Sequence, residues 1–422
     1  SSHLSGPGLK LLKTAVKIPK HPRMSPSISL RTLSAAFAVA AHLCPVVGIT
    51  LWSPGATKFS NRGDPQGAGA VEGAQQLLTP SAGFAERKSC KKRGNMLKCF
   101  PDIMFVGQSK AGTTSISMYL IQHPKVVTQS LLNTGFWGDL KIGNKPTSYE
   151  VHVFDRHLQS EKAMLAAHWS SCPLLREEDV NEKLQLHYTP NYMYFPDAPF
   201  RISRLYPNAR SIKYIMMLRN PTQRAVSSWE FHRQLTLELR PFDLAMRQGM
   251  KQRRTLESCY GQELMKNNSL AKFVTDLPAG LMQQVVNKCF WGRTDTHDTT
   301  TLMETPIALM HAHVDKSVYV DQIRRWHALL GRENFFIFSL EEWIKDQRKV
   351  FNKMLDFVGL EVVGPNGFPS EEELNKTLSV KYNEGSSKHS GSPVDPKVVK
   401  ELDKFFEPYN KELFELLGRR LW

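Results

Sequence analysis

The stretch Asp102-Ile-Met-Phe-Val-Gly-Gln-Ser-Lys-Ala-Gly-Thr-Thr-Ser-Ile-Ser-Met-Tyr-Leu120 decides the fold. Ile103 to Val106 reads as a buried strand, Gly107 to Gly112 as a tight loop, and the residues after it as a helix. Ile116, Tyr119 and Leu120 recur at i, i+3 and i+4, so they predict the face laid on a sheet. A strand, a glycine loop and a helix start aim backbone N–H groups and the positive end of a helix dipole at one point. That point suits a phosphate or sulfate group.

The loop departs from a Walker loop, which has lysine directly after its second glycine. Here Thr113 stands there and the lysine, Lys110, lies inside the loop. This variant resembles the 5′-phosphosulfate loop of sulfotransferases, whose donor is 3′-phosphoadenosine 5′-phosphosulfate (PAPS). The resemblance implies donor contacts from Lys110, Ala111, Gly112, Thr113, Thr114 and Ser115.

Further along, Ile212 to Leu218 is an apolar strand that runs into Arg219-Asn-Pro-Thr-Gln-Arg-Ala-Val-Ser-Ser-Trp229. Pro221 ends the strand and suits a first helical turn, which places Ser227 two turns into the helix. The run resembles the sulfotransferase 3′-phosphate motif R-[DN]-P-x-x-R-x-x-S. The resemblance implies that Arg219 and Ser227 grip the 3′-phosphate, and a planar guanidinium suits that dianion.

Tyr149-Glu-Val-His-Val-Phe-Asp155 resembles the K-E-x-H-F-F-D segment of heparan sulfate 3-O- and N-sulfotransferases. Glu150 is then the implied catalytic base and His152 its neighbour. Tyr149 replaces the family lysine, and Val153 the first phenylalanine.

Three later segments follow in family order. His187-Tyr-Thr-Pro-Asn-Tyr192 resembles a segment near the acceptor. Lys316-Ser-Val-Tyr-Val-Asp-Gln-Ile-Arg-Arg-Trp326 resembles a helix near the donor and brings in Tyr319. Lys388-His-Ser-Gly-Ser-Pro-Val-Asp-Pro396 loosely resembles the loop that closes over the nucleotide and brings in Lys388, Ser390 and Gly391. Residues 360–387 hold no cysteine, so the cysteine pair that the family places before that loop has no counterpart.

The expected architecture is α/β: a P-loop-like three-layer fold with a central parallel sheet flanked by helices, spanning 100–422. Residues 33–52 carry no Asp, Glu, Lys or Arg and are long enough to span a bilayer. The flank before them is basic without an acid. Read by the positive-inside rule, 1–32 is a cytosolic tail, 33–52 a transmembrane signal anchor and 53–99 a flexible stem rich in Gly, Ala, Ser and Pro. A cleaved signal or transit peptide is the rival reading. With the resemblance, the anchor implies a single-pass type II protein of the Golgi membrane, its catalytic domain lumenal.

Six cysteines show no zinc spacing. Cys90–Cys99 and Cys259–Cys289 are plausible lumenal disulfides, with connectivity left open. Asn267-Asn-Ser269 and Asn375-Lys-Thr377 are glycosylation sequons. The formal charge is +15, of which residues 1–31 contribute +6. A basic surface attracts PAPS and an anionic polysaccharide or oligosaccharide. The dispersed Lys and Arg and the lack of a nucleic-acid module argue against nucleic acid. Between Trp229 and Lys316 a helical insertion and a loop near the substrate cleft are expected. The apolar run from Leu402 to Leu417 predicts a C-terminal helix pair packed on the core.

The expected reaction is sulfuryl transfer to a hydroxyl or amine of a carbohydrate, with Glu150 as base, Lys110 as cation and no metal required. Three alternatives stand beside it: transfer to a non-carbohydrate acceptor, a P-loop kinase of a small substrate, and a non-catalytic glycan-binding protein.

Overall fold

The computed structural model describes residues 89–128, 141–142, 145–146, 150–155, 160–267, 271–291, 312–382 and 393–422. The basic tail, the apolar segment 33–52 and the sites assigned to Lys388, Ser390 and Gly391 lie outside them.

Strands β1 (Cys90–Arg93) and β2 (Met96–Cys99) open the described chain, followed by β3 (Ile103–Gly107), helix α1 (Thr113–Leu120) and β4 (Val126–Thr128). The short pair β5 (Lys141–Ile142) and β6 (Lys145–Pro146) precedes α2 (Glu161–Ser171), α3 (Glu177–Glu182), β7 (Leu184–Tyr188) and α4 (Asp197–Leu205). Then come β8 (Lys213–Leu218), α5 (Pro221–Gln234), α6 (Phe242–Asn267), α7 (Ala279–Trp291), α8 (Tyr319–Leu330) and β9 (Phe335–Ser339). Helices α9 (Leu340–Lys345), α10 (Gln347–Val358), α11 (Glu371–Ser379) and α12 (Pro396–Leu417) complete the chain.

Five strands form a sheet in the order β4-β7-β3-β8-β9, and every pairing in it is parallel. The strand read first from the sequence is therefore the central one. Its side chains alternate between two cores, as the two-residue period of a strand requires. Met104 and Val106, with Tyr214, Met216 and Leu218 of β8, pack on the side of α4 to α8 and α12. Ile103 and Phe105, with Ile215 and Met217, pack with α1, α10 and α11. The result is the expected three-layer α/β fold, and Ile116, Tyr119 and Leu120 of α1 are buried in the second core as the spacing predicts.

Two expectations need correction. Residues 90–99, assigned to the stem, fold into the β1–β2 hairpin. A Cys90–Cys99 disulfide closes it, and Leu97 pairs with Leu175. The C-terminal segment is one helix, α12, and not a pair. Pro408 sits inside it without ending it, because Val398, Leu402, Phe406 and Leu413 bury one continuous face that outweighs the lost backbone bond. The expected helical insertion is α6 and α7, tied by the Cys259–Cys289 disulfide. The rest of that segment, 292–311, lies outside the described residues. Among the described residues no helix is long and apolar enough to cross a membrane.

Candidate active site

Strands β7, β3 and β8 are adjacent and parallel, so their C-terminal ends, Tyr188, Gly107 and Leu218, share one edge of the sheet. In open parallel sheets that edge is where ligands bind. The loop after β3 begins at Gly107, where a Cβ would stand 2.4 Å from Met193 Cβ, so only glycine lets the chain pass. It ends at Gly112, whose φ of 95° is left-handed and caps the start of α1.

Lys110 is held in between with a φ of 69°, which costs a non-glycine residue on the order of 1 kcal/mol. Its Nζ lies 3.8 Å from the centre of the Phe231 ring, a cation–π contact. Burial, then the nearby Arg219 and Arg224, push its pKa down to about 8, while Glu230 and Glu150 pull the other way. Thr113 and Thr114 meet the buried Tyr188 hydroxyl, at 3.1 and 3.5 Å. Ala111 is fully buried. Ser115 Oγ donates to the Tyr382 carbonyl at 3.2 Å, which docks the chain before residues 383–392 onto α1.

Arg219 follows β8, half-buried, with its Nη1 3.5 Å from the Lys110 carbonyl. Its Nε has no hydrogen-bond partner among the described residues. Tyr319 donates its hydroxyl to the Arg219 carbonyl at 2.8 Å. Asn220 caps α5 by accepting from the Gln223 N–H at 3.2 Å, and Pro221 occupies the first turn. Ser227 then falls two turns along, half-buried.

Glu150 joins the same edge through a parallel bridge with Tyr188, the last residue of β7. Its Oε2 lies 3.0 Å from Nε2 of His152. The other ring nitrogen of His152, Nδ1, donates to Asp155 Oδ2 at 2.6 Å. Burial works against charging His152, but Asp155 and then Glu150 overcome it and raise its pKa to about 10. The raised value favours the charged imidazole, held between Asp155 and Glu150. The segment from His187 to Tyr192 braces this unit. Thr189 Oγ1 accepts from the Val151 and His152 N–H groups at 3.0 and 3.2 Å, and Tyr192 Oη accepts from Val153 N–H at 2.7 Å.

Sequence reading passed over three contributors. Asp155 closes the Glu150–His152 unit. Arg224, fully buried, donates to the Ser109 carbonyl at 3.2 Å, to Ser317 Oγ at 2.6 Å and to the His313 carbonyl at 2.5 Å. Lys316 is buried within the electrostatic reach of Arg224, Asp155 and Glu150. All three stand inside quoted motifs, so a residue-by-residue reading could have flagged them. Phe231, under Lys110, carries no such signal.

The Sulfotransferase domain family profile matches residues 100–384 of this chain. Over 352 residues the chain is 21% identical to the membrane-associated sulfotransferase kil1 of Dictyostelium discoideum, which spans 76% of this chain and 66% of that protein. Over 332 residues it is 21% identical to heparan sulfate glucosamine 3-O-sulfotransferase 6 of Homo sapiens, spanning 76% of this chain and 72% of that one. A sulfotransferase of known structure from Alicyclobacillus acidocaldarius aligns at 18% identity and a TM-score of 0.42, over 76% of this chain and 97% of its own.

Proposed function

Because the chain belongs to the sulfotransferase family, we propose that it moves a sulfuryl group from PAPS to a hydroxyl or amine of an anionic polysaccharide. One observation carries this reading. Lys110, Arg219 and Arg224 lie within electrostatic range of one another, Lys316 lies within range of Arg224, and Glu150 is in reach of both lysines. A polyanionic donor fits that excess of positive charge, and the unpartnered Nε of Arg219 has an acceptor to gain.

In this reading Glu150 takes the acceptor proton. His152, held by Asp155, keeps the Glu150 carboxylate oriented. Lys110 offsets charge on the transferring group and the leaving phosphate. The helix start at Thr113, Thr114 and Ser115 receives the 5′-phosphosulfate, and Arg219, Ser227 and Tyr319 fix the 3′-phosphate end. Lys388, Ser390 and Gly391 are proposed to close over the nucleotide. The polysaccharide assignment is supported by the heparan sulfate enzymes among the relatives and by the match of Glu150 and His152 to their motif.

We extend the proposal to place. The two disulfides suit an oxidising compartment, and one relative is named as membrane-associated. Both fit a Golgi-lumenal catalytic domain with 33–52 as its anchor and the residues up to 88 as tail and stem. The deciding experiment incubates the protein with labelled PAPS and a panel of heparan sulfate, chondroitin sulfate, uncharged glycans and tyrosine peptides. Label on an acidic polysaccharide is the expected result. Label on the peptides alone would overturn the carbohydrate acceptor, and label transferred from ATP but not PAPS would restore the kinase.

A further inference from the structure

Lys316 stands in an unusual position. It is only 4% exposed, yet among the described residues its ammonium has neither a hydrogen-bond acceptor nor an ion pair. Its ammonium lies over the Tyr194 ring, whose centre is 5.2 Å away. Tyr194 itself is turned to Asp315, donating to Oδ2 at 2.9 Å. A buried ammonium without a counter-ion is costly, and proteins keep such a group where an anion arrives to complete it.

The backbone of Lys316 is tied to the loop that carries Lys110. Gln108, fully buried, donates its Nε2 to the Lys316 carbonyl at 2.9 Å and to Gln322 Oε1 at 3.1 Å. Arg224 fastens the same pair of segments through Ser109 and Ser317. Lys110 and Lys316 are thus set on two clamped segments, with Glu150 within electrostatic reach of each. Phe231 and Glu230 neighbour Lys110, whereas Tyr194, Asp155 and Asp315 neighbour Lys316.

We propose that Lys316 is a second catalytic cation, which contacts a sulfuryl oxygen of the donor from the side opposite Lys110 and holds it as the group moves toward the acceptor. The inference rests on the PAPS reading above. In the step, a bond forms between the acceptor oxygen and sulfur while the bond from sulfur to the phosphate oxygen breaks. The leaving phosphate keeps the electron pair, the acceptor proton goes to Glu150, and the negative charge on the sulfuryl oxygens is met on both flanks. Burial, then Arg224, push the pKa of Lys316 down to about 7, against the pull of Asp155, Glu150 and Asp315, so a bound anion would fix its proton.

The test compares PAPS with 3′-phosphoadenosine 5′-phosphate, which shares the nucleotide and lacks the sulfuryl group. Affinities for both are measured by calorimetry on the wild type, Lys316→Met and Lys316→Gln, beside kcat, the acceptor KM and the melting temperature. Two variants are used so that a folding failure in one leaves the comparison in place. The expected result is a loss of about ten- to a hundredfold in PAPS affinity, the usual weight of a charge-assisted bond. Affinity for the desulfated nucleotide should stay within about twofold, kcat should fall, and the melting temperature should hold or rise as an unpaired buried charge is removed. Equal weakening of both nucleotides, or a rise in acceptor KM alone, would overturn the proposal. Wild-type protein that binds neither nucleotide would overturn the PAPS reading and this inference together, whereas variants that bind both as the wild type does would overturn this inference alone.

Discussion

Arg224 donates to the Ser109 carbonyl, so a side chain on α5 holds the loop residue directly before Lys110. With its further bonds to Ser317 and His313 it joins three segments of the site through one buried guanidinium. Around it, the buried Ser228 hydroxyl meets His313 Nδ1 at 2.9 Å, and His313 Nε2 lies 2.9 Å from the buried Glu238. The segments that carry Lys110 and Lys316 are placed by this frame.

Arg224→Met keeps the bulk but removes three hydrogen bonds; the Ser109 carbonyl is left without its donor, while Ser317 Oγ still donates to the His313 carbonyl at 3.1 Å. Since a buried unsatisfied group costs about 1–3 kcal/mol, the variant should lose stability on that scale. Urea unfolding measures this, and a loss below about 1 kcal/mol would remove Arg224 from the role described.

Lys110→Ala should lower kcat by about a hundredfold, the usual scale for one donor of an electrostatic site, and leave the fold unchanged. Circular dichroism and melting check the fold. A drop under about tenfold would mean that the lysine only assists binding.

Arg219→Ala should weaken binding of 3′-phosphoadenosine 5′-phosphate about ten- to a hundredfold while AMP binding barely moves, because AMP lacks the 3′-phosphate. Calorimetry with both nucleotides reads the difference. Equal effects on the two would place Arg219 elsewhere.

Glu150→Gln removes basicity and keeps shape, so turnover should fall by on the order of a hundred- to ten-thousandfold with PAPS affinity nearly constant. His152→Ala should be milder, because His152 enters the site already protonated. A dead His152→Ala beside an active Glu150→Gln would reverse the two roles.

The titrations of the site oppose one another. His152 has a raised pKa, so its contribution to stability is full below about pH 6.5 and is lost as pH climbs through about 10. Lys110 and Lys316 have lowered values, about 8 and about 7, so the unfolded chain holds their protons more tightly between those values and about 10.5. Their burden is relieved as pH rises through that window. Lys316→Met should therefore gain stability most at neutral pH and least near pH 10, and His152→Ala should lose most at neutral pH. Melting curves across this range check both slopes. A His152→Ala penalty that grows toward pH 10 would contradict the ion pairs drawn here.

Much of the site could be read from residue types alone. The strand, glycine loop and helix from Asp102 to Leu120 show the right period and the right breakers, and the structure repeats them almost residue for residue. Pro221 likewise marks the turn from β8 into α5. What stayed hidden depends on contacts far apart along the chain. Lys316 reads as the polar start of a helix motif, and only the fold brings it beside Arg224 and Glu150. Phe231 reads as one more apolar helix position until Lys110 is seen against its ring. The helix pair expected there is one helix, because the long buried face of α12 overrides the local disfavour of Pro408.

The hairpin at the head of the described chain has a mechanical meaning. Its disulfide bypasses residues 91–98, so tension arriving along the backbone at Ser89 crosses from Cys90 to Cys99 and reaches Phe100. That ring is gripped by His168, Trp169 and Tyr206, with centre-to-centre distances of 4.9, 4.6 and 4.6 Å. Two residues on, Asp102 exchanges bonds with Gln185, its N–H to the Gln185 carbonyl at 3.0 Å and its carboxylate accepting from Gln185 N–H at 2.8 Å. A load entering at Ser89 would thus be shed into α2 and β7 before it reaches β3, which shields the loop bearing Lys110.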